Sequence, residues 1–162
     1  MSLIINKKIP ALKAGYPTMS DKYNVAGGIL TGTTPVQFGQ IVINSDTPGY
    51  FKAPAGIAAV QDIGGIAVAT NVKLAQDWPG TTVQVNPGEA FNLLINGFIA
   101  VKLAASATIG NVLANAPVAV KADGSFTTSN DSGKVVELPN TVFTGFYEQL
   151  KDGSYLVEIY VK

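Results

Sequence analysis

The side chains that could do chemistry in this chain of 162 residues are carboxylates, lysines and hydroxyls. It has 11 Asp and Glu residues and 11 basic residues, every one of them lysine, with no His and no Cys. No imidazole is available as a general base or metal ligand, and no thiolate can attack a substrate or hold zinc. Without arginine there is also no bidentate clamp for phosphate or guanine. Catalysis would have to rest on carboxylates, lysines and hydroxyls alone.

Paired carboxylates are the one catalytic arrangement that deserves a search, because glycoside hydrolysis needs two of them facing each other across a sugar. Asp77 and Glu89 could form such a pair. Most of the acids, however, occur in turn sequences such as Asp123-Gly124 and Asp152-Gly153, where the side chain hydrogen-bonds nearby backbone. No loop has EF-hand spacing, and no glycine-rich stretch matches a phosphate-binding motif. We therefore expect no enzyme, no cofactor, no metal site and no small-molecule substrate.

The charge balance points to protein partners. The net charge is zero, so the basic surface that dominates nucleic-acid affinity is missing. Charged residues make up 14% of the chain, against about 25% in ordinary soluble domains, which indicates a surface that partners cover. No apolar run approaches the roughly 18 residues needed to cross a bilayer, and the N-terminus lacks a signal-peptide pattern. We expect no membrane partner and a protein that folds in a cytoplasm.

From Pro35 onward, short β-rich segments alternate with turn residues, which indicates an all-β fold: a small β-barrel or β-sandwich of short antiparallel strands. The predicted strands are residues 36–43, 64–70, 81–85, 91–95, 98–103, 117–121, 135–138, 142–150 and 155–161. Asn96-Gly97, Asp123-Gly124 and Asp152-Gly153 are predicted hairpin turns. Only residues 71–77 and 109–116 are weak candidates for a helix.

The first 34 residues differ from the rest, and we predict two parts: an extended N-terminal arm over 1–34 and a core domain over 35–162. Pro10 and Pro17 interrupt any helix and favour extended backbone before them. The segment is nevertheless too rich in Ile, Leu and Tyr for a typical disordered tail. An arm lying in a groove on a neighbour fits both observations, and the alternative is an irregular segment packed on its own domain.

Apolar residues outside the predicted strands are the candidate partner contacts, because large apolar and aromatic side chains anchor protein interfaces. The predicted partner-binding residues are Ile4, Ile5, Ile9, Leu12, Tyr16, Tyr23 and Trp78. Trp78 could equally be a local structural plug or, less readily, a platform for a sugar ring. The phenylalanines in predicted strands, namely Phe91, Phe98, Phe143 and Phe146, are expected in the core.

One stretch resembles a segment of the capsid cement or decoration proteins of tailed bacteriophages. Residues 83–101 contain a strand, a Pro-Gly-Glu turn, a second strand and a Gly-apolar-apolar-Ala-Val strand, in the order found in that family. Four other segments are similar to elements of the same family in the same order. They are residues 35–42 and 64–69 upstream, and residues 109–114 and 123–127 downstream.

The resemblance implies a non-enzymatic virion protein that binds the outside of an expanded tailed-phage capsid, made in the bacterial host cytoplasm. Such proteins commonly act as homotrimers that stabilise contacts between neighbouring major capsid proteins, which would be the partners here. Family members often carry an arginine in their final strands, and none occurs in this chain. The alternatives are a head fibre base or tail part, a carbohydrate-binding β-sandwich that uses Trp78, and a carboxylate enzyme.

Overall fold

The structure is a computed structural model that describes residues 12–18, 23–69 and 84–162. These residues form strands β1 (Asn24–Leu30), β2 (Val36–Gln37), β3 (Ile41–Asn44), β4 (Tyr50–Lys52), β5 (Ile63–Val68), β6 (Gln84–Val85), β7 (Ala90–Lys102), β8 (Pro117–Val120), β9 (Phe126–Thr128), β10 (Val136–Gln149) and β11 (Tyr155–Val161). Helical structure in this part of the chain is limited to 3₁₀ turns at Val60–Asp62 and Ile109–Asn111. The prediction of an all-β fold is confirmed, and the weak helix over 109–116 is reduced to that second turn. The other weak helix, 71–77, lies outside the described residues.

Nine of the strands form one large sheet, whose first half closes on itself. The strand order there is β1-β4-β3-β5-β7, and β1 pairs a second time with β7, so that these strands form a ring. The β1–β4 pair is parallel and the other pairs of this ring are antiparallel. Because the ring is closed, each of its strands has a hydrogen-bonded neighbour on both sides.

The second half of the sheet continues from the same β7 in the order β7-β11-β10-β8-β9. A parallel bridge between Leu103, just after β7, and Phe126 of β9 brings its two ends together. The amide of Ala104 also donates to the carbonyl oxygen of Phe126 at 2.7 Å. β7 therefore belongs to two rings of strands, and its 13 residues make it one of the longest strands of the fold.

The predicted hairpin turn at Asn96-Gly97 is wrong, because β7 runs straight through it. Before this point β7 pairs with β1, up to Asn96 opposite Asn24. After it β7 pairs with β11, beginning with Gly97 opposite Val161. Gly97 has a φ of 125°, which a side-chain-bearing residue rarely adopts. The glycine thus lets one strand pass from the first ring to the second, as glycines within strands often do at bends.

Two apolar clusters fill the rings. The smaller one belongs to the first ring and consists of Leu30, Val36, Phe38, Val42, Ala67, Ala69, Val85, Phe91 and Leu93. The larger one spans the second ring and the opposite face of β3, β5 and β7, and it includes Ile41, Ile66, Leu94, Ile99, Val118, Phe126, Phe143, Val157 and Ile159. Each ring therefore has its own buried support, and β7 contributes to both.

The other predicted strands are confirmed in part. Hairpins join β8 to β9 around Asp123-Gly124 and β10 to β11 around Asp152-Gly153, as expected from these dipeptides. The single strand predicted over 36–43 is divided into β2 and β3 by a turn in which the amide of Gln40 donates to the carbonyl of Gln37. The strands predicted over 91–95 and 98–103 are one strand, β7, and those over 135–138 and 142–150 are one strand, β10.

The described parts of the first 34 residues lie on the domain itself. Residues 24–30 form β1, which pairs with β4 and β7 and buries Leu30 completely. Residues 12–18, which we call the junction segment, follow the second half of β7. There the amide of Gly15 donates to the carbonyl of Ala100 at 2.8 Å, and the amide of Thr18 to that of Phe98 at 3.1 Å. The division of the chain at residue 34 stays a prediction.

Candidate interaction surface

The carboxylates of the described residues serve local structure. Asp62 accepts the amides of Ala58 at 3.0 Å and Ala59 at 2.8 Å, which lowers the pKa of its carboxyl. At Asp123 the backbone amide of Ser125 lowers the carboxyl pKa in the same way. The turn role predicted for Asp123 and for Asp152 is confirmed, since the amide of Ser154 donates to Asp152 at 2.9 Å.

The sequence suggested Asp77 and Glu89 as a catalytic acid pair, and the geometry around Glu89 does not support that role. Asp77 lies outside the described residues. Glu89 accepts the amide of Asn86 through Oε2 at 2.7 Å, and its own amide donates to the carbonyl of Asn86 at 3.0 Å. Glu89 thereby closes the Asn86–Glu89 turn before β7, which is a structural role.

Asp131 is the centre of the most extensive polar network in the described chain. Its Oδ2 accepts the hydroxyls of Thr127 at 2.6 Å and Ser106 at 2.9 Å, and its Oδ1 accepts the amide of Gly133 at 2.8 Å. Lys121 lies 3.7 Å from Oδ2 and donates to Ser106 Oγ at 2.7 Å. These groups, of which the Thr127 hydroxyl has the largest effect, hold the pKa of the Asp131 carboxyl at about 2. A permanently ionised Asp131 cannot act as a general acid or base near neutral pH.

No group of three or more metal-ligating side chains occurs within residues 12–18, 23–69 and 84–162. A shallow groove of about 300 Å³ lies where β7 passes between the rings, and it is lined by Tyr23, Asn24, Asn96, Gly97, Phe98, Tyr160 and Lys162. The rings of Phe98 and Tyr160 stack there at 4.3 Å. None of these described lining residues has a carboxylate side chain, so they do not offer the acid pair that a glycosidase requires.

Three of the predicted partner-binding residues are described, and all three are half-buried on their own domain. The amide of Leu12 donates to Oε2 of Glu148 at 2.8 Å. Tyr16 packs against the apolar cluster of the first ring, and Tyr23 against that of the second. Ile4, Ile5, Ile9 and Trp78 lie outside the described residues, so their contacts stay predictions.

The most exposed large apolar side chains of the described chain were not among those predictions. Leu113 is 63% exposed, Phe146 62%, Tyr147 55% and Ile95 54%. Phe146 was expected in the core, as Phe143 is, but the two lie three positions apart in one strand. Side chains an odd number of positions apart in a regular strand point to opposite faces, so the spacing could have revealed an exposed Phe146.

The pairing of β10 with β11 is irregular at this point. Phe143 pairs with Ile159 and Tyr147 with Val157, so the three residues between them face Glu158 alone. Such bulges re-aim side chains away from the regular pleat. Glu158 itself is buried, and its Oε1 accepts the Thr144 hydroxyl at 2.8 Å.

No helix within the described ranges is both long and apolar enough to span a membrane. A family model described as "Structural cement protein (E217 gp24/Pam3 gp6)" matches residues 5–162. No curated protein matches the chain. Among solved structures, a chain from "The capsid of Myoviridae Phage XM1" is similar with a TM-score of 0.61 and 17% identity. The match covers 97% of this chain and 95% of that chain, and at this identity it establishes the shared fold.

Proposed function

The chain belongs to the phage structural cement protein family, and on that premise we propose that it binds the outside of a tailed-phage capsid and stabilises contacts between major capsid proteins. The observation that carries this proposal is the family match, which extends over residues 5–162. The fold is similar to that of a chain from a phage capsid, which also supports the proposed role.

The surface suits a protein whose work is to bind other proteins. Only 14% of the residues are charged and the net charge is zero. Large apolar side chains are exposed at Ile95, Leu113, Phe146 and Tyr147. Apolar and aromatic groups of this kind form the buried centres of protein interfaces, whereas charged residues are depleted there.

The closed rings provide the rigidity that a clamp between capsid subunits needs. Two clusters of buried apolar residues support the sheet on either side of β7. Closed strands also lack the open edges that would pair with unrelated chains, so attachment can be confined to specific surfaces. We propose no catalytic activity for this protein.

We further propose that the protein acts as a homotrimer on the capsid exterior and that it is part of the virion after synthesis in the host cytoplasm. A three-fold arrangement lets one protein contact several capsid subunits in equivalent ways. Ile4, Ile5, Ile9 and Trp78 are proposed contacts with neighbouring proteins. Leu12, Tyr16 and Tyr23 are proposed to support them from the domain surface.

Co-sedimentation with purified capsids tests the proposal. Expanded shells that lack the protein are mixed with it and pelleted, with unexpanded shells and a protein-only sample as controls. We expect saturable binding to expanded shells and a higher temperature of shell disruption after binding. Absence of binding, or binding without any gain in shell stability, would contradict the proposed role.

A further inference from the structure

The second ring is closed where the segment after β7 meets β9. We call this place the β9 seam, with residues 103–106 on one side and β9 on the other. β9 has only three residues, and it pairs with β8 over all of them. On its other side, within the described chain, β9 is bridged only at Phe126, by Leu103. A backbone bond there runs from the amide of Ala104 to the carbonyl of Phe126 at 2.7 Å.

The first ring is closed over a much longer stretch than the second. Its closing strands, β1 and β7, pair at six positions of β1, from Asn24 to Ile29. A protein opens locally where few backbone hydrogen bonds and few buried contacts have to break. The β9 seam, which has a single bridge, is therefore the place where a ring of this fold opens at the lowest free energy.

Side chains add to the hold across the β9 seam. Ser106 donates to Oδ2 of Asp131 at 2.9 Å, and Thr127 of β9 donates to the same oxygen at 2.6 Å. Lys121, just after β8, donates to Ser106 at 2.7 Å. The Asp131 side chain is only 7% exposed, and hydrogen bonds to an ionised group are roughly twice as strong as neutral ones. The Asp131 carboxylate thus links the two sides of the seam.

One buried group on β9 works against closure of the seam. Thr128 is 2% exposed, and its hydroxyl has no hydrogen-bond partner within the described chain. It lies opposite Val118, a member of the larger apolar cluster. A buried hydroxyl without a partner costs free energy relative to the same hydroxyl in water. Separation of the seam gives water access to this group, which lowers the free energy of opening.

We propose that the second ring opens transiently at the β9 seam while the first ring and β7 stay paired, and that Asp131 is the latch that holds the seam closed. The open form is a minor state of the folded protein, reached without global unfolding. The shared strand β7 then separates a half of the molecule that stays closed from a half that opens. This inference depends on the contacts at the seam and not on binding to a capsid.

Two consecutive amides provide a direct test. Leu103 donates to the carbonyl of Tyr155 in β11 at 2.9 Å, whereas Ala104 donates across the seam. Hydrogen exchange of both amides is followed by NMR at several low urea concentrations. We expect the protection of Ala104, corrected for its intrinsic rate, to be at least about tenfold below that of Leu103. It should also depend less on urea, because local opening exposes less surface than unfolding does.

Three variants test the latch itself. Asp131→Asn should lower the protection of Ala104 about tenfold further, because it weakens the bonds across the seam. Thr128→Val removes the hydroxyl that lacks a partner and should raise that protection about fivefold. Asp62→Asn is the matched control, because Asp62 accepts two amides within its own turn and none across the seam. It should leave Ala104 as protected as in the wild type.

Two results would overturn the proposal. Equal protection and equal urea dependence of Leu103 and Ala104 would show that the seam opens only when the whole fold unfolds. Alternatively, Asp62→Asn could accelerate exchange at Ala104 as much as Asp131→Asn does, which would make the effect of Asp131 a general loss of stability. The comparison of the two amides in the wild type needs no variant to fold.

Discussion

Asn96 and Gly97 are neighbours in β7, yet they pair with strands of different rings. Asn96 lies opposite Asn24 of β1, and Gly97 lies opposite Val161 of β11. The groove lined by Tyr23 and the stacked Phe98–Tyr160 pair occurs at this same crossing. The two rings are therefore joined through one continuous backbone.

Gly97→Ala tests that joint. With a φ of 125°, an alanine there would be strained by about 1–3 kcal/mol, and the free energy of unfolding should fall accordingly. Gly27→Ala in β1 is the control, because a Cβ at Gly27 meets nothing within 4 Å. Urea denaturation measures both variants. Equal stability of the two would show that the crossing does not depend on the glycine.

Gly15→Ala tests the attachment of the junction segment. A Cβ on Gly15 would collide with Phe38, and the φ of 78° adds strain. Gly32 has a comparable φ of 95° but open space around it, so Gly32→Ala separates strain from collision. We expect Gly15→Ala to cost about 1–3 kcal/mol more than Gly32→Ala, as overpacking typically does. Hydrogen exchange at the Ala100 amide, which donates to Tyr16, should also accelerate in Gly15→Ala alone.

Ile99 and Ile95 offer a matched pair on β7 for testing the larger core. Ile99 is fully buried, whereas Ile95 is 54% exposed. Ile99→Ala should lower the free energy of unfolding by about 2–5 kcal/mol, the usual cost of emptying such a site. Ile95→Ala should change it by less than about 1 kcal/mol. Similar losses at both positions would contradict the difference in burial between Ile99 and Ile95.

The Asp131 network predicts a loss of stability in acid. Thr127, Gly133 and Ser106 hold the folded-state pKa at about 2, below the ordinary value of 3.8. Because the carboxyl binds protons more weakly when folded, its stabilisation is complete above pH 3.8 and is lost as the pH falls towards 2. Thermal melting of wild type and Asp131→Asn should therefore differ at pH 6 and converge near about pH 2.

The sequence predicted the fold class and several turns, because these depend on local chemistry. The β-rich segments and the Asp-Gly dipeptides 123–124 and 152–153 located β8, β10, β11 and the two hairpins, whereas β9 was not predicted and β10 was predicted as two strands. Asn96-Gly97 has the same local chemistry as a turn, but the partners of β7 on either side of it are distant in sequence. Asn96-Gly97 continues a strand because β7 pairs with β1 before it and with β11 after it. No local sequence pattern encodes that pairing.

The interaction surface was harder to predict than the fold. Phe146 looks like a core residue by type, but it is 62% exposed and lies beside the bulge between Phe143 and Tyr147. Residues 24–30 likewise lie within the predicted arm, yet they form β1. In the structure Gly28 is the position where the ring of Phe51 packs closely, which explains the small residue.

This placement of β1 also determines how the N-terminus should be truncated. Removing residues 1–30 would delete a strand of the first ring and its buried Leu30. Removing residues 1–11 leaves the junction segment in place. We expect that shorter truncation to keep the fold, by circular dichroism, and to weaken binding to expanded capsids. Unchanged capsid affinity would contradict the proposed contacts of Ile4, Ile5 and Ile9.

Electron cryomicroscopy of expanded shells saturated with the purified protein tests the central claim most directly. We predict density for the two-ring domain on the outer surface, where it bridges neighbouring major capsid proteins. Shells without the protein, imaged in parallel, should lack this density. Shells that carry no added density after saturation, or density that contacts only one capsid subunit, would contradict the proposed cement role.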